Sequence, residues 1–288
     1  MKQNIQLLII DPQNDFCDLP AAWLPLDPVT GETISPSLPV AGAHGDMLRL
    51  ASFIEGAAPG LSSIAITLDS HYRFDVAHPT FWQARGGQPV PSFTQITAAQ
   101  VRDGAYAPKD AAALPRVLAY LDALESRGRY TLMVWPVHCE MGSWGHNVHA
   151  AVKAACNAWE DTQLMMARKI AKGSNPWTEH YSALQAEVPD AADPSTQLNT
   201  SLLADLDGAD LILVAGEASS HCVRATVEDL VANLPSRDPK KVVLLTDCIS
   251  PVGGFDAQHH AFLDGMRAAG VRLSTSVEML LPVRDNAV

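Results

Sequence analysis

Basic residues are scarce in this chain: 20 Lys and Arg stand against 32 Asp and Glu, for a formal net charge of −12. No basic run or stripe offsets the acid excess, which argues against a nucleic-acid partner or an anionic membrane surface. Long hydrophobic runs are missing as well. None approaches the ~20 apolar residues of a membrane span, and residues 1–11 lead straight into an apolar strand pattern with no signal-peptide layout. Cysteine is sparse, with five residues at 17, 139, 156, 222 and 248, an odd number that does not read as a disulfide framework. They are expected to be reduced thiols in a cytoplasmic protein. No internal repeat stands out. What the chain does have is material for a core: 288 residues at 47% hydrophobic content, expected to form one domain over 1–288.

The apolar runs at 5–10, 64–68, 130–134, 163–170, 211–215, 242–246 and 271–274 read as strands. Helical spacing falls between them, at about 46–55, 111–127, 147–159, 198–206, 221–234 and 257–269. That alternation predicts an α/β fold of three layers, a mostly parallel central sheet with helices on both faces. In such sheets the ligand site lies beyond the carboxyl ends of the strands. Two long irregular stretches, about 17–43 and 83–108, interrupt the pattern as loop insertions. Such loops are lids or binding loops, or else surface excursions and dimer contacts.

Several chemically capable side chains stand at the predicted strand ends. Asp11 follows the first strand, Asp69 and His71 the second, Trp135 and His138 the third, Lys172 the fourth and Cys222 the fifth. Cys222 opens an amphipathic segment, where the helix N-terminus favours the thiolate and its free N–H groups can stabilise an oxyanion. A carboxylate beside a thiol and an amine can act as general base and then general acid. Asp11, Lys172 and Cys222 are therefore the candidate catalytic set. Asp69, His71, His138 and possibly His78 form a second set, suited to Zn²⁺, Fe²⁺ or Mn²⁺ with positions left open. The other histidines, 44, 146, 149, 180, 259 and 260, are expected to cap helices or face solvent, and His221 to line the pocket beside Cys222.

These residues carry a resemblance. Ile9-Ile10-Asp11-Pro12-Gln13-Asn14-Asp15-Phe16 resembles the opening motif of the isochorismatase-like cysteine hydrolases, and Gly216-Glu217-Ala218-Ser219-Ser220-His221-Cys222-Val223-Arg224-Ala225-Thr226 their nucleophile motif. Lys172-Gly173 with Tyr181-Ser182 resembles their lysine segment. Asp69-x-His71, His78-Pro79-Thr80-Phe81 and Trp135-Pro136-Val137-His138-Cys139 are similar to the nicotinamidase branch. The motifs come in family order and span residue 5 to about 280.

The resemblance implies the isochorismatase-like fold and hydrolysis of a small carboxamide, nicotinamide to nicotinic acid and ammonia. Cys222 would attack, Asp11 would move the proton and Lys172 would hold the pair. The N–H groups of Ala218 and Cys222 would form the oxyanion hole, with a cis peptide between Glu217 and Ala218. One divalent metal, Zn²⁺ before Fe²⁺ or Mn²⁺, would hold the pyridine nitrogen, with Phe16 and Trp135 flanking the ring. The chain departs from the pattern at Ser220-His221, where an acidic-aromatic pair is usual, and in the length of 17–43 and 83–108, which would admit a larger amide. The alternatives are a metal-free cysteine amidase for another small amide or carbamoyl compound, and a non-catalytic binding protein. A homo-oligomer is the ordinary expectation for such an enzyme.

Overall fold

The structure, a computed structural model, describes residues 2–287. In chain order the strands are β1 (Ile5–Ile10), β2 (Ser63–Asp69), β3 (Trp82–Ala84), β4 (Gln88–Pro89), β5 (Thr94–Ile96), β6 (Tyr106–Pro108), β7 (Leu132–Val134), β8 (Arg168–Lys172), β9 (Leu211–Gly216), β10 (Val242–Leu245) and β11 (Arg272–Ser274). The α-helices are α1 (Ala43–Ala57), α2 (Ala98–Arg102), α3 (Leu114–Arg127), α4 (Ala150–Gln163), α5 (Thr200–Asp207), α6 (Cys222–Asn233), α7 (Asp256–Ala268) and α8 (Ser276–Arg284).

Six strands form one sheet in the order β11-β10-β9-β1-β2-β8, and every pair in it is parallel. Central parallel strands are covered on both faces, so their sequences run apolar without alternation. All six residues of β9 and all four of β10 are accordingly buried. Helices α1, α4 and α8 pack together in one layer and α6 contacts α7 in the other, giving the three-layer α/β fold that the alternation predicts.

Gly216 shows why the sequence is fixed where β9 ends. It has φ +117°, and a Cβ there would sit 1.9 Å from the Ile10 carbonyl oxygen, so no other residue lets β1 and β9 close at their carboxyl ends.

Two predicted strands need correction. Residues 130–134 do not enter the central sheet. Only Leu132–Val134 is extended, and it pairs antiparallel with Thr94–Ile96 in a separate two-stranded sheet. Leu132–Val134 is buried, but against a second apolar cluster that includes Trp82, Ile96, Val117, Leu121 and Val134. The run at 163–170 is displaced: α4 continues to Gln163, and the strand is Arg168–Lys172 at the sheet's edge. One-sided pairing removes the apolar signal there, and only Lys172 of the five is buried.

The stretch at 83–108 is also more ordered than expected. It contains β4, β5 and α2, the last closed by a capping box between Thr97 and Gln100. The 17–43 stretch holds one 3-10 turn, Ala21–Trp23, and is pinned to α1 by Asp18, whose carboxylate accepts the backbone N–H of Gly42 and His44 at 2.8 Å each.

Candidate active site

Four parallel strands deliver four side chains to one rim. Asp11 follows β1, Asp69 ends β2, Lys172 ends β8, and Cys222 opens α6 after β9. Register does the fine placement. Asp69 and Lys172 are partners across the β2–β8 ladder, so their side chains emerge on the same face. Asp11 has φ +43°, a left-handed conformation that aspartate tolerates.

Lys172 is the hub. Its Nζ lies 2.9 Å from Asp11 Oδ2, 2.9 Å from Asp69 Oδ1, 3.0 Å from the His180 carbonyl and 3.6 Å from Cys222 Sγ. Lys172, Asp11 and Asp69 are all buried. Burial alone would neutralise the amine, but Asp11 and Asp69 hold its pKa well above the ordinary lysine value. Burial raises Asp11, and Asp69 adds to that, while Lys172 and the Thr67 hydroxyl pull it down.

Burial also pushes the Cys222 thiol up, and the pull of Lys172 does not undo that beside Asp11 and Asp69. The helix N-terminus favours the thiolate and burial works against it, so a base beside the sulfur helps to remove the proton. Asp11 Oδ2 has no hydrogen bond beyond its ion contact with Lys172, so it is the free acceptor.

The backbone beside Cys222 has unused donors. The peptide between Glu217 and Ala218 is cis. Ser219, His221 and Val223 donate their N–H groups to Ser250, Ala218 and Ala218 carbonyls, whereas the N–H groups of Ala218 and Cys222 have no protein acceptor among the described residues.

The imidazoles of His71, His78 and His138 are buried, and each offers a ring nitrogen within 4.8 Å of the others. Nδ1 of His71 and of His78 faces outward, onto Asp75 Oδ2 at 3.0 Å and the Tyr72 carbonyl at 3.2 Å, whereas His138 Nδ1 lies 2.9 Å from the Pro136 carbonyl and 3.3 Å from His78 Nε2. An Nδ1–H donated outward leaves Nε2 to take a metal, the arrangement of metal-binding histidines. Asp69 Oδ2 joins them, 3.0 Å from His71 Nε2 and 3.3 Å from His138 Nε2. Three imidazoles and one carboxylate oxygen suit a divalent first-row ion. Burial and the neighbouring His138 and His71 lower the His78 pKa to about 2, which keeps that ring neutral.

Phe16 packs edge-on against His138 at 5.5 Å, and Trp135 packs edge-on against His221 at 5.1 Å. Tyr181 fixes Trp135 by accepting its Nε1–H at 3.0 Å.

His180 overturns the expectation of a capping or exposed position, and His149 stands at the N-cap of α4 with its ring buried rather than capping through its side chain. His180 is buried, and its Nδ1 accepts the Gly173 N–H at 3.3 Å. His149 is fully buried, 3.0 Å from His44 Nδ1 and stacked on Trp23. The His149 ring is covered by Trp23 of the 17–43 stretch.

Sequence reading missed Thr67 and Asp75. The Thr67 hydroxyl bonds the Asp11 carboxylate, and its oxygen accepts the Asp11 N–H at 3.0 Å. Its signal was available: Thr67 stands two residues before Asp69 on one strand and so shares its face. Asp75, four residues after His71, carried no comparable periodic signal because it lies in a turn.

No family model matches the sequence, and no curated protein matches it. Solved structures do. A nicotinamidase/pyrazinamidase from Acinetobacter baumanii superposes with TM-score 0.61 at 18% identity, covering 96% of this chain and 98% of its own. The yeast nicotinamidase bound to the inhibitor nicotinaldehyde gives 0.62 at 16% identity, over 94% and 99%. A pyrazinamidase from Pyrococcus horikoshii in complex with zinc gives 0.52 at 16%, over 94% and 99%. These identities establish a shared architecture. With a six-stranded parallel sheet that gathers an acid, an amine and a thiol on one rim, the chain has the isochorismatase-like fold found in nicotinamidases and pyrazinamidases.

Proposed function

We propose that this chain is a metal-dependent amidohydrolase that converts nicotinamide and water to nicotinic acid and ammonia through a thioester on Cys222. The observation that carries the reading is the bridge made by Lys172, which reaches Asp11 and Asp69 at 2.9 Å each and Cys222 at 3.6 Å. One ammonium thus joins the acid-thiol pair to the imidazole group.

Asp69, His71, His78 and His138 are the residues that would hold the metal. When bound, the ion would anchor the pyridine nitrogen and so orient the ring. The rest is the work of this chain's own groups. Phe16 and Trp135 flank the ring. Asp11 takes the thiol proton as Sγ attacks the carboxamide carbon, and the N–H groups of Ala218 and Cys222 receive the oxyanion. Asp11 returns that proton to the amide nitrogen, ammonia leaves, and a thioester remains. Asp11 then takes a proton from water, whose oxygen attacks the thioester and frees nicotinic acid and the Cys222 thiol. Lys172 stays charged throughout and keeps the buried carboxylates tolerable.

The test is ammonia release from nicotinamide with and without a chelator. Release that the chelator abolishes, and that added zinc, iron or manganese restores, is the expected result. Release that the chelator leaves untouched removes the metal from the reading, and no release from nicotinamide removes the substrate.

A further inference from the structure

The run that leads into the nucleophile carries a buried acid with no part in the chemistry described above. Glu217 follows the six apolar residues of β9 and is itself fully buried. Its Oε2 accepts the Ser250 N–H at 3.1 Å, and its Oε1 accepts nothing among the described residues. A glutamate placed there costs more than the apolar residue that burial favours, so its bonds call for a reason.

Ser250 is shared by two carboxyl groups. Its N–H goes to Glu217, and its hydroxyl donates to Asp46 Oδ2 at 2.5 Å. Asp46 stands on α1 and is buried too, with Arg49 of the same helix on its other oxygen. Burial and the Asp46 carboxyl hold Glu217 well above the ordinary glutamate range, and Asp18 acts in the same direction. Glu217 is thus a neutral acid whose O–H can donate to Asp46.

The backbone around Glu217 is stitched to the same segment, residues 248–252 after β10. Gly216 donates its N–H to the Cys248 carbonyl at 3.0 Å and Ser219 to the Ser250 carbonyl at 2.9 Å, while the Ser220 hydroxyl accepts the Val252 N–H at 3.1 Å. Glu217 donates its own N–H to the Ile10 carbonyl at 2.8 Å. Between these bonds lies Ala218, whose N–H has no protein acceptor among the described residues. Residues on both sides of that free N–H are therefore held to the 248–252 segment, Glu217 through its side chain and Ser219 through its backbone.

We propose that Glu217 is a positioning residue for the oxyanion: its carboxyl ties the run after β9 to the 248–252 segment and to α1, and so keeps the Ala218 N–H aimed where charge develops on the carboxamide oxygen. The inference rests on the amidohydrolase reading above. A donor aimed in advance needs no reorganisation during the reaction, and a small misplacement loses much of its effect. The oxyanion exists only once Cys222 has attacked, so a misaimed donor lowers kcat and spares KM. The role asks no charge of Glu217. A glutamine in its place can accept the Ser250 N–H and donate to Asp46.

The experiment measures kcat and KM for nicotinamide in wild-type, Glu217→Met and Glu217→Gln holoenzymes, each normalised to bound metal and to Cys222 titrated with iodoacetamide. Glu217→Met has a side chain of similar length that makes neither bond. It is expected to lower kcat per titrated site by about 10- to 100-fold with KM within about twofold of wild type. Glu217→Gln is expected to keep kcat within about threefold of wild type. If Glu217→Met does not fold, Glu217→Asp takes its place with the same expected loss, since its carboxyl falls one methylene short of Ser250. A kcat loss smaller than about tenfold overturns the proposal. So does a Glu217→Gln enzyme as impaired as Glu217→Met, which would mean that Glu217 acts through a charge, and so does a KM that rises as steeply as kcat falls. Each of these leaves the amidohydrolase reading standing, whereas no ammonia from nicotinamide with the wild-type holoenzyme overturns both.

Discussion

The two halves of the candidate site are built by different means. Asp11, Lys172 and Cys222 are placed by the ends of β1 and β8 and by the turn after β9, so the hydrogen-bond register of the central sheet sets their separation. His71, His78 and His138 stand on connections, and His138 follows β7, which pairs outside the central sheet. Their spacing depends on how the second apolar cluster seats the 76–134 region against the rim. Asp69 belongs to both halves, giving Oδ1 to Lys172 and Oδ2 to the imidazoles. The proposed nucleophile is held by secondary structure here, the proposed metal ligands by tertiary packing, and one carboxylate ties them.

That comparison can be broken at each half separately. Cys222→Ala is expected to lower amide turnover by roughly 10⁴-fold or more while metal content stays at the wild-type level. A parallel fall in bound metal would show that the halves are not separable. His138→Ala should do the reverse, lowering metal content and raising KM for nicotinamide much more than it lowers kcat. Unaltered metal content by elemental analysis would remove His138 from the ligand set.

Asp75→Asn probes the support of the second half without touching a ligand. Loss of the carboxylate behind His71 should weaken metal affinity about 10- to 100-fold, read by chelator competition. An affinity equal to wild type would mean that the outward bond of His71 plays no part in metal binding. The smallest effect is expected at Thr67. Catalysis needs Asp11 ionised, so kcat/KM falls as pH drops through its pKa, which burial raises and the Thr67 hydrogen bond lowers. Thr67→Val removes a lowering influence, so the acid limb should move to higher pH. A shift to lower pH would contradict Asp11 as the base.

Legibility followed range. β1, β9 and β10 are strands because their residues are buried on both faces, and a continuous apolar run states that directly. The rim residues at their ends could be picked out for the same reason. β8 was misplaced by a few residues because an edge strand needs no apolar face, and its sequence Arg168–Lys172 has almost none. β7 was assigned to the wrong sheet because an apolar run shows that a segment is buried but not against what. Likewise a helix start is visible in sequence, whereas the burial of Cys222 that raises its thiol is not.

Local sequence therefore settled the central strands β1, β2, β9 and β10 and most of the longer helices, and that an acid, an amine and a thiol stand near strand ends, since periodicity and turn chemistry act over a few residues. Only the folded chain decided that Lys172 links Asp11, Asp69 and Cys222, that Asp75 and Thr67 stand behind them, and that the imidazoles converge. Those contacts join residues 4 to 161 positions apart, and their distances and dielectric surroundings exist only once the sheet and its covering layers have closed.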